Sequence, residues 1–344
     1  MGANRRILLQ FHITGRCNLR CKHCYRTEGD VETLSFNDVI SVFEQFKALR
    51  KEYNRVNRIK CKAHINITGG EPFYRKDIKD ILKYLGENKE HFGYGVLSNG
   101  SFIDDEAIAL LLSTEASFVQ LSIDGDRDMH DDLRARGDYD RVLKTAERLE
   151  KSGVRTYISF TANAENYKYL PIVASECRKI GITKLWTDRL VPIGNGASLE
   201  PLAITENDLP DYLAVLKKAQ GGTLVNAFCK KTQVTANRAL QFLGARGDVY
   251  SCSAGKSLIT VNEFGEIMPC RRMPIVCGSV FDSTLSDVYF ENEVFRALRL
   301  DALPEECLAC AYAEQCRGGA KCQSYAKYGS FLRADPACIL KNKR

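Results

Sequence analysis

The 344-residue sequence has no long apolar run. Its longest near the N-terminus, ILLQF at 7–11, is far short of the about 20 residues that span a bilayer and lacks the flank of a signal peptide. The opening MGANRR carries Arg6 where an N-myristoylation signal needs Ser or Thr. These absences lead to the expectation of a cytoplasmic protein without membrane attachment. Internal repeats and low-complexity segments are also missing. The Lys and Arg residues are dispersed rather than clustered with aromatics, which excludes a nucleic-acid interface. A net charge of +6 is mild for this length and describes a solvated surface, or at most attraction for an acidic partner.

What the chain has in abundance is cysteine, 14 in all. Without an export signal they do not form a disulfide framework, and thiols at short spacings in a reducing compartment bind metal. Eleven fall in two groups, at 17–24 and 252–338, while Cys61, Cys177 and Cys229 stand alone. Val173, Cys177 and Ile180 share one helix face, so Cys177 reads as a core residue.

The first two-thirds alternates strand-like and helix-like segments. Strands are expected at 6–13, 63–68, 94–98, 117–123, 155–162 and 184–190, and helices at 36–53, 75–90, 104–113, 139–152, 167–180 and 206–219. Six βα units imply a parallel sheet with right-handed crossovers, doubly wound or barrel-like, with function at the C-terminal ends of its strands. Those ends carry TGRC, TGGEP, SNG, SIDG, TANAEN and LVPIGNG, polar loops where such a fold builds its site. The expected division is a barrel over 1–220, a bridging helical segment over 221–247 and a cysteine-rich domain over 248–344. The last has little apolar sequence for a core, so metal clusters would staple it.

Cys17-x3-Cys21-x2-Cys24 directly follows the first strand, and three thiolates at this spacing can wrap three corners of an iron–sulfur cube. A zinc site with His12 or His23 as fourth ligand is the alternative. The motif, its place after the first strand, TGGEP at 68–72 and LSIDGDRDMHDDLR at 121–134 together resemble the radical S-adenosylmethionine (SAM) superfamily. The resemblance implies a partial (βα)6 TIM barrel whose 4Fe–4S cluster binds SAM at its fourth iron. It places Gly69, Gly70 and Glu71 near the SAM amino group, Glu71 serving that cation or bracing the loop. It also places Ser122 and Asp124 near the ribose, Arg134 near the carboxylate, and His23 and the backbone around Leu190 near the adenine. The bland reading of Arg134 is an ion pair with Asp131 or Asp138, and that of Ser98 and Asn99 is a turn.

Cys307-x2-Cys310-x5-Cys316-x5-Cys322 and Cys338, with Cys252, Cys270 and Cys277 upstream, resemble a SPASM domain, as do CRGG at 316–319 and DPAC at 335–338. By that resemblance two auxiliary 4Fe–4S clusters are expected. Cys307, Cys310, Cys316 and Cys338 would hold the distal one, and Cys252, Cys270 and Cys322 the nearer one. A zinc ribbon at Cys307 and Cys310 is the runner-up. The nearer cluster is one thiolate short, and either Cys277 fills the vacancy or the site stays open. Arg271 stands where sulfatase-maturating members carry an aspartate base, which argues against that activity.

The resemblance implies an enzyme that uses a flavodoxin- or ferredoxin-like reductant to cleave SAM, yielding a 5′-deoxyadenosyl radical that abstracts a substrate hydrogen. A ribosomally made peptide is the expected substrate and an oxidative thioether or carbon cross-link the expected product. Redox-neutral epimerisation with Cys229 as hydrogen donor, sulfatase maturation and a small-molecule cofactor pathway are alternatives. A non-catalytic iron–sulfur or zinc module is a further one. The first strand begins at Arg6, so peptide recognition is expected from the barrel, the cluster domain or a separate protein.

Overall fold

The structure, a computed structural model, describes residues 6–27, 33–221, 232–236 and 240–341. One ten-stranded sheet organises them, with strands β1 (Arg6–His12), β2 (Lys62–Thr68), β3 (Gly93–Leu97), β4 (Val119–Ser122), β5 (Thr156–Ala162), β6 (Lys184–Arg189), β7 (Gln233–Thr235), β8 (Leu258–Val261), β9 (Glu266–Met268) and β10 (Gly278–Ser279). Their order is β10-β9-β8-β1-β2-β3-β4-β5-β6-β7. From β8 to β7 every pairing is parallel, and only the β8–β9–β10 meander is antiparallel. This is the sheet of a partial TIM barrel, extended at one edge by the cysteine-rich C-terminal region.

The helices between strands are α1 (Phe36–Asn57), α2 (Ile78–Glu87), α3 (Asp105–Ser113), α4 (Arg127–Leu133), α5 (Asp138–Lys151), α6 (Leu170–Ile180) and α7 (Leu209–Gln220). After the meander come α8 (Leu285–Glu291), α9 (Glu293–Leu300), α10 (Ala313–Cys316) and α11 (Lys321–Tyr328). Ser35 starts α1 with a capping box: its side chain accepts from the Asp38 N–H while Asp38 accepts from the Ser35 N–H. Among the described residues no helix is long and apolar enough to cross a membrane.

Side chains alternate across each strand, and the alternation separates core from site. Ile7, Leu9, Phe11, Ile65, Ile67, Ile158 and Phe160 are buried beneath the helices. Their neighbours Gln10, Asn66, Gln120, Ser122, Ser159 and Thr161 face a cavity inside the barrel. Val173 and Cys177 are buried on α6, and Cys61 is buried just before β2.

Two expectations need correction. The segment read as a bridging helix has no α-helix where it is described: Gln233–Thr235 forms β7, in parallel register with β6, and Gln241–Leu243 makes one 3-10 turn. Val234 and Thr235 are β-branched, and the open edge of β6 offers them a ladder that an isolated helix could not match. The loop expected after β4 also contains a helix, α4, capped by Asp126, whose side chain accepts from the Met129 N–H.

Candidate active site

Cys17, Cys21 and Cys24 lie on the loop that leaves β1, at the wall of a cavity of about 400 Å³. That volume falls in the about 300–1,000 Å³ range of small-molecule pockets. His23, Gly69, Gly70, Ser98, Asn99, Ser122, Arg134 and Leu190 line the same cavity, so most of the expected site residues converge. Burial pushes the Cys21 thiol up to about 11. The protein alone therefore keeps this thiol protonated, and metal binding would release the proton.

Gly69 and Gly70, which line the cavity, also pack against the cysteine loop. A Cβ at Gly69 (φ +147°) would come within 2.3 Å of the Thr14 carbonyl oxygen, and one at Gly70 within 2.1 Å of the Arg16 oxygen. The N–H groups of Gly70 and Glu71 donate to the Thr14 and Arg16 oxygens, both at 2.8 Å. The missing side chains thus let the end of β2 clamp the cysteine loop itself.

Glu71 is fully buried and braces loops rather than facing the cavity. Its Oε1 accepts from Ser98 Oγ at 2.8 Å and the Phe73 N–H at 3.1 Å, and its Oε2 from the Asn99 N–H at 2.7 Å. Burial raises its pKa to about 6 against the pull of those donors. Asn99, in turn, brings its Nδ2 to 3.8 Å from Cys17 Sγ. Ser98 and Asn99 are therefore more than turn residues.

Asp124, expected at the ribose, is fully buried behind the cavity wall and holds Arg134, whose Nε donates to Asp124 Oδ2 at 2.6 Å. The Thr161 N–H donates to Oδ1 at 2.7 Å. Burial disfavours the carboxylate, but Arg134, His23 and His130 outweigh it and hold the pKa down at about 2. The partner of Arg134 is thus Asp124, not Asp131 or Asp138 as the bland reading had it. So anchored, Arg134 brings Nη1 to 3.9 Å from Cys21 Sγ and Nη2 to 3.4 Å from His23 Nε2. Burial lowers the pKa of His23 to about 4, and its buried Nδ1 has no hydrogen-bond partner among the described residues. Leu190 is buried against the cavity, with its carbonyl accepting from Gln323 Nε2 at 3.0 Å.

Cys252, Cys270 and Cys322 line a second, adjoining pocket together with Gly319 and Ala320. Tyr250, Ser253, Leu258 and Cys270 border both it and the main cavity, so the two are adjacent. Cys277 is not at this pocket: its thiol donates to the Ile275 carbonyl at 3.3 Å beside β10. Cys307, Cys310, Cys316 and Cys338 line a third pocket under Leu240 and Phe242. A zinc ion would draw each sulfur to about 2.3 Å. Among the described residues no three His, Cys, Asp or Glu side chains converge on one ion position. Each of the three cysteine groups lines a pocket instead. Cys229 lies outside the described residues.

Two buried ion-pair groups were not legible beforehand. Arg189, at the end of β6, forms a bidentate pair with Asp335 of DPAC, and Asp335 also accepts from the Ala320 and Ala337 N–H groups. This carboxylate joins the barrel to the loops beside the second and third pockets, and a Cβ at Gly319 would stand 2.6 Å from its Cβ. Arg26 and Arg271 both donate to Glu263 Oε1, at 3.0 and 3.1 Å, and Arg26 also donates to the Gly15 carbonyl at 2.5 Å. Arg271 is thus tied to the cysteine loop through a shared carboxylate.

Comparisons with known proteins agree with this layout. The family model described as the radical SAM superfamily matches residues 11–174, and that described as an iron-sulfur cluster-binding domain matches 242–311. The mycofactocin maturase MftC of Mycolicibacterium smegmatis is 26% identical, over 98% of this chain and 84% of its own. An AdoMet-dependent heme synthase of Oleidesulfovibrio alaskensis is 25% identical, over 98% of this chain and 88% of its own. Among solved structures, SAM-bound SuiB of Streptococcus suis superposes with a TM-score of 0.73 at 16% identity, covering 98% of this chain and 77% of that one. AdoMet-bound anSMEcpe gives 0.75 at 18%, covering 97% and 94%. SuiB has also been solved with its precursor peptide SuiA.

Proposed function

The chain belongs to the radical SAM superfamily and carries a SPASM domain, and from that premise we propose that it matures a ribosomally made peptide by forming an oxidative cross-link. The observation that carries the reading is the adjacency of the cysteine-loop cavity and the pocket of Cys252, Cys270 and Cys322, which share four lining residues. Loss of a hydrogen atom leaves a carbon radical; when that carbon bonds to a second side chain, a proton and one electron are also lost, and an acceptor held in the second pocket would receive the electron.

The residues present fit the implied groups. Three thiols stand at one wall of a pocket of ligand size, with a carboxylate-anchored guanidinium and an unpartnered imidazole nitrogen beside them. Cys17, Cys21 and Cys24 would hold the SAM-binding 4Fe–4S cluster, and Arg134 would pair with the SAM carboxylate. His23 and the Leu190 backbone would flank the adenine, and Ser122 would lie near the ribose. Cys252, Cys270 and Cys322 would hold the nearer auxiliary cluster, and Cys307, Cys310, Cys316 and Cys338 the distal one. When bound and reduced by a flavodoxin- or ferredoxin-like donor, the cluster and SAM supply hydrogen-atom abstraction. The protein orients the substrate carbon and keeps water from the cavity.

Two assays test this. Anaerobically reconstituted, reduced protein is expected to cleave SAM, and failure removes the enzyme reading. Co-expression with the small open reading frames beside its gene, in deuterated water, is expected to give a peptide lighter by two hydrogens. Deuterium gained at an alpha carbon would instead mark epimerisation, with Cys229→Ala abolishing product but not SAM cleavage. An unchanged peptide set would overturn the maturase reading. The likeness to heme synthases supports a second reading, a small-molecule cofactor pathway. A titration with Fe-coproporphyrin III that shifts its strong visible band would favour it over a peptide.

A further inference from the structure

We infer that His130 is a positioning residue for the cysteine-loop site, linking the group beside Cys21 to the group beside Cys17 through hydrogen bonds behind the cavity wall. The inference rests on the proposed cluster and SAM site and adds a residue that touches neither.

His130, on α4, is fully buried. Its Nδ1 stands 3.1 Å from the Asp124 backbone nitrogen, and its Nε2 stands 3.0 Å from Asp138 Oδ2. A backbone N–H can only donate, so Nδ1 carries the lone pair and the ring proton sits on Nε2, pointing at Asp138. A buried histidine with both nitrogens satisfied is ordinary; what distinguishes this one is where its two partners lead. Asp124 anchors Arg134 at 2.6 Å, and Arg134 reaches Cys21 and His23. Asp138 pairs with Arg141, whose Nη1 donates to the Asn99 carbonyl at 3.2 Å, and the Asn99 amide faces Cys17. The path Cys21–Arg134–Asp124–His130–Asp138–Arg141–Asn99–Cys17 therefore spans both flanks of the loop.

The turn before α4 is held tightly against it. A Cβ at Gly125 would fall 2.6 Å from Met129 Cγ, so the turn can lie this close to the helix only because a glycine stands there. Tyr139 packs edge-on against the imidazole at 5.7 Å, a contact that any aromatic ring could keep. The polar edges of His130, rather than its volume, are what Phe would remove. Amide contacts to cluster sulfurs tune reduction potentials, and groups that orient such ligands are worth about 10–100-fold in affinity. Moving His130 should thus change both SAM binding and the potential of the first cluster.

Three variants separate the two arms. His130→Asn places a carbonyl oxygen where Nδ1 was and keeps the Asp124 arm. His130→Gln places an amide N–H where Nε2 was and keeps the Asp138 arm. His130→Phe keeps neither. Each reconstituted protein is compared with wild type for iron content, for SAM affinity by equilibrium dialysis, and for the midpoint potential of the first cluster and its EPR change on adding SAM. The expectation is about tenfold weaker SAM binding in His130→Phe and His130→Gln, with recovery to near wild type in His130→Asn. The midpoint potential should shift in His130→Phe and His130→Asn and return toward wild type in His130→Gln. If His130→Phe does not fold, the opposed behaviour of the Asn and Gln variants still decides. Equal SAM affinity and equal potential in all variants at full iron content would overturn the inference. A wild type that binds iron but no SAM would remove the underlying reading, and the inference with it.

Discussion

Gly70→Ala tests the clamp on the cysteine loop. The new Cβ would meet the Arg16 oxygen at 2.1 Å, about 1.3 Å inside an ordinary contact of 3.4 Å, and because that oxygen belongs to the main chain no side chain can swing away to make room. The strand end and the loop must therefore separate by about 1 Å. The two 2.8 Å bonds from Gly70 and Glu71 to Thr14 and Arg16 stretch beyond use. At about 1 kcal/mol each, plus about 1–3 kcal/mol of overpacking, the expected loss is about 3–5 kcal/mol. Gly153→Ala is the control: Gly153 has φ +87° and nothing within 4 Å, so the cost is only the about 1–2 kcal/mol of a left-handed non-glycine residue. The assay is urea unfolding together with iron bound per chain after anaerobic reconstitution. Gly70→Ala should lose the iron of the first site while Gly153→Ala keeps it. Wild-type iron in Gly70→Ala, with a stability loss no larger than the control's, would refute the reasoning.

Glu71, with its pKa raised to about 6, favours the proton in the folded state; its contribution is full below about pH 4.5 and lost as pH rises through 6. Unfolding across that window should show wild type losing about 2 kcal/mol relative to Glu71→Gln, and parallel profiles would contradict the burial argument. Asp335→Ala strands the buried Arg189 and should cost about 3–5 kcal/mol in urea unfolding, with the double change Arg189→Met/Asp335→Ala recovering part of it. Additive losses would mean the pair is not coupled. Cys277→Ser should leave the iron content unchanged while Cys322→Ser loses about a third of it, measured by colorimetric iron assay. Equal loss in both would bring Cys277 back as a ligand.

Strands β1 to β6 and the polar loops at their ends were legible because parallel βα units leave period-2 and period-3.6 patterns in the residues themselves, whereas β7 to β10 are too short to leave such a pattern. The cysteine groups were legible as groups because spacing is local. Roles that depend on an approach between distant segments were not. TGGEP shows two glycines but not that Thr14 and Arg16 lie against them. The resemblance left Glu71 between a ligand contact and a loop brace and set Asp124 at the ribose, because polarity in a loop carries no sign of which way the side chain turns. Asp335 and Arg189 are 146 positions apart, and nothing near either one hints at the other. His130 sat inside a motif already noticed, LSIDGDRDMHDDLR, but its importance lies in two partners that only the fold supplies.

The pairing of β1 with β8 has a consequence for how the protein is made. Leu8 meets Leu258, 250 positions later, while the other side of β1 pairs with β2 much earlier. At about 5–20 residues per second, a ribosome needs roughly 10–50 s to travel that distance. Throughout that interval the strand that leads into the cysteine loop has one unpaired edge, and Glu263, which ties down Arg26, does not yet exist. The cysteine loop is thus the first chemical feature to emerge and among the last to be locked. Until β8 arrives, the loop lacks the ties that Glu263 supplies to it.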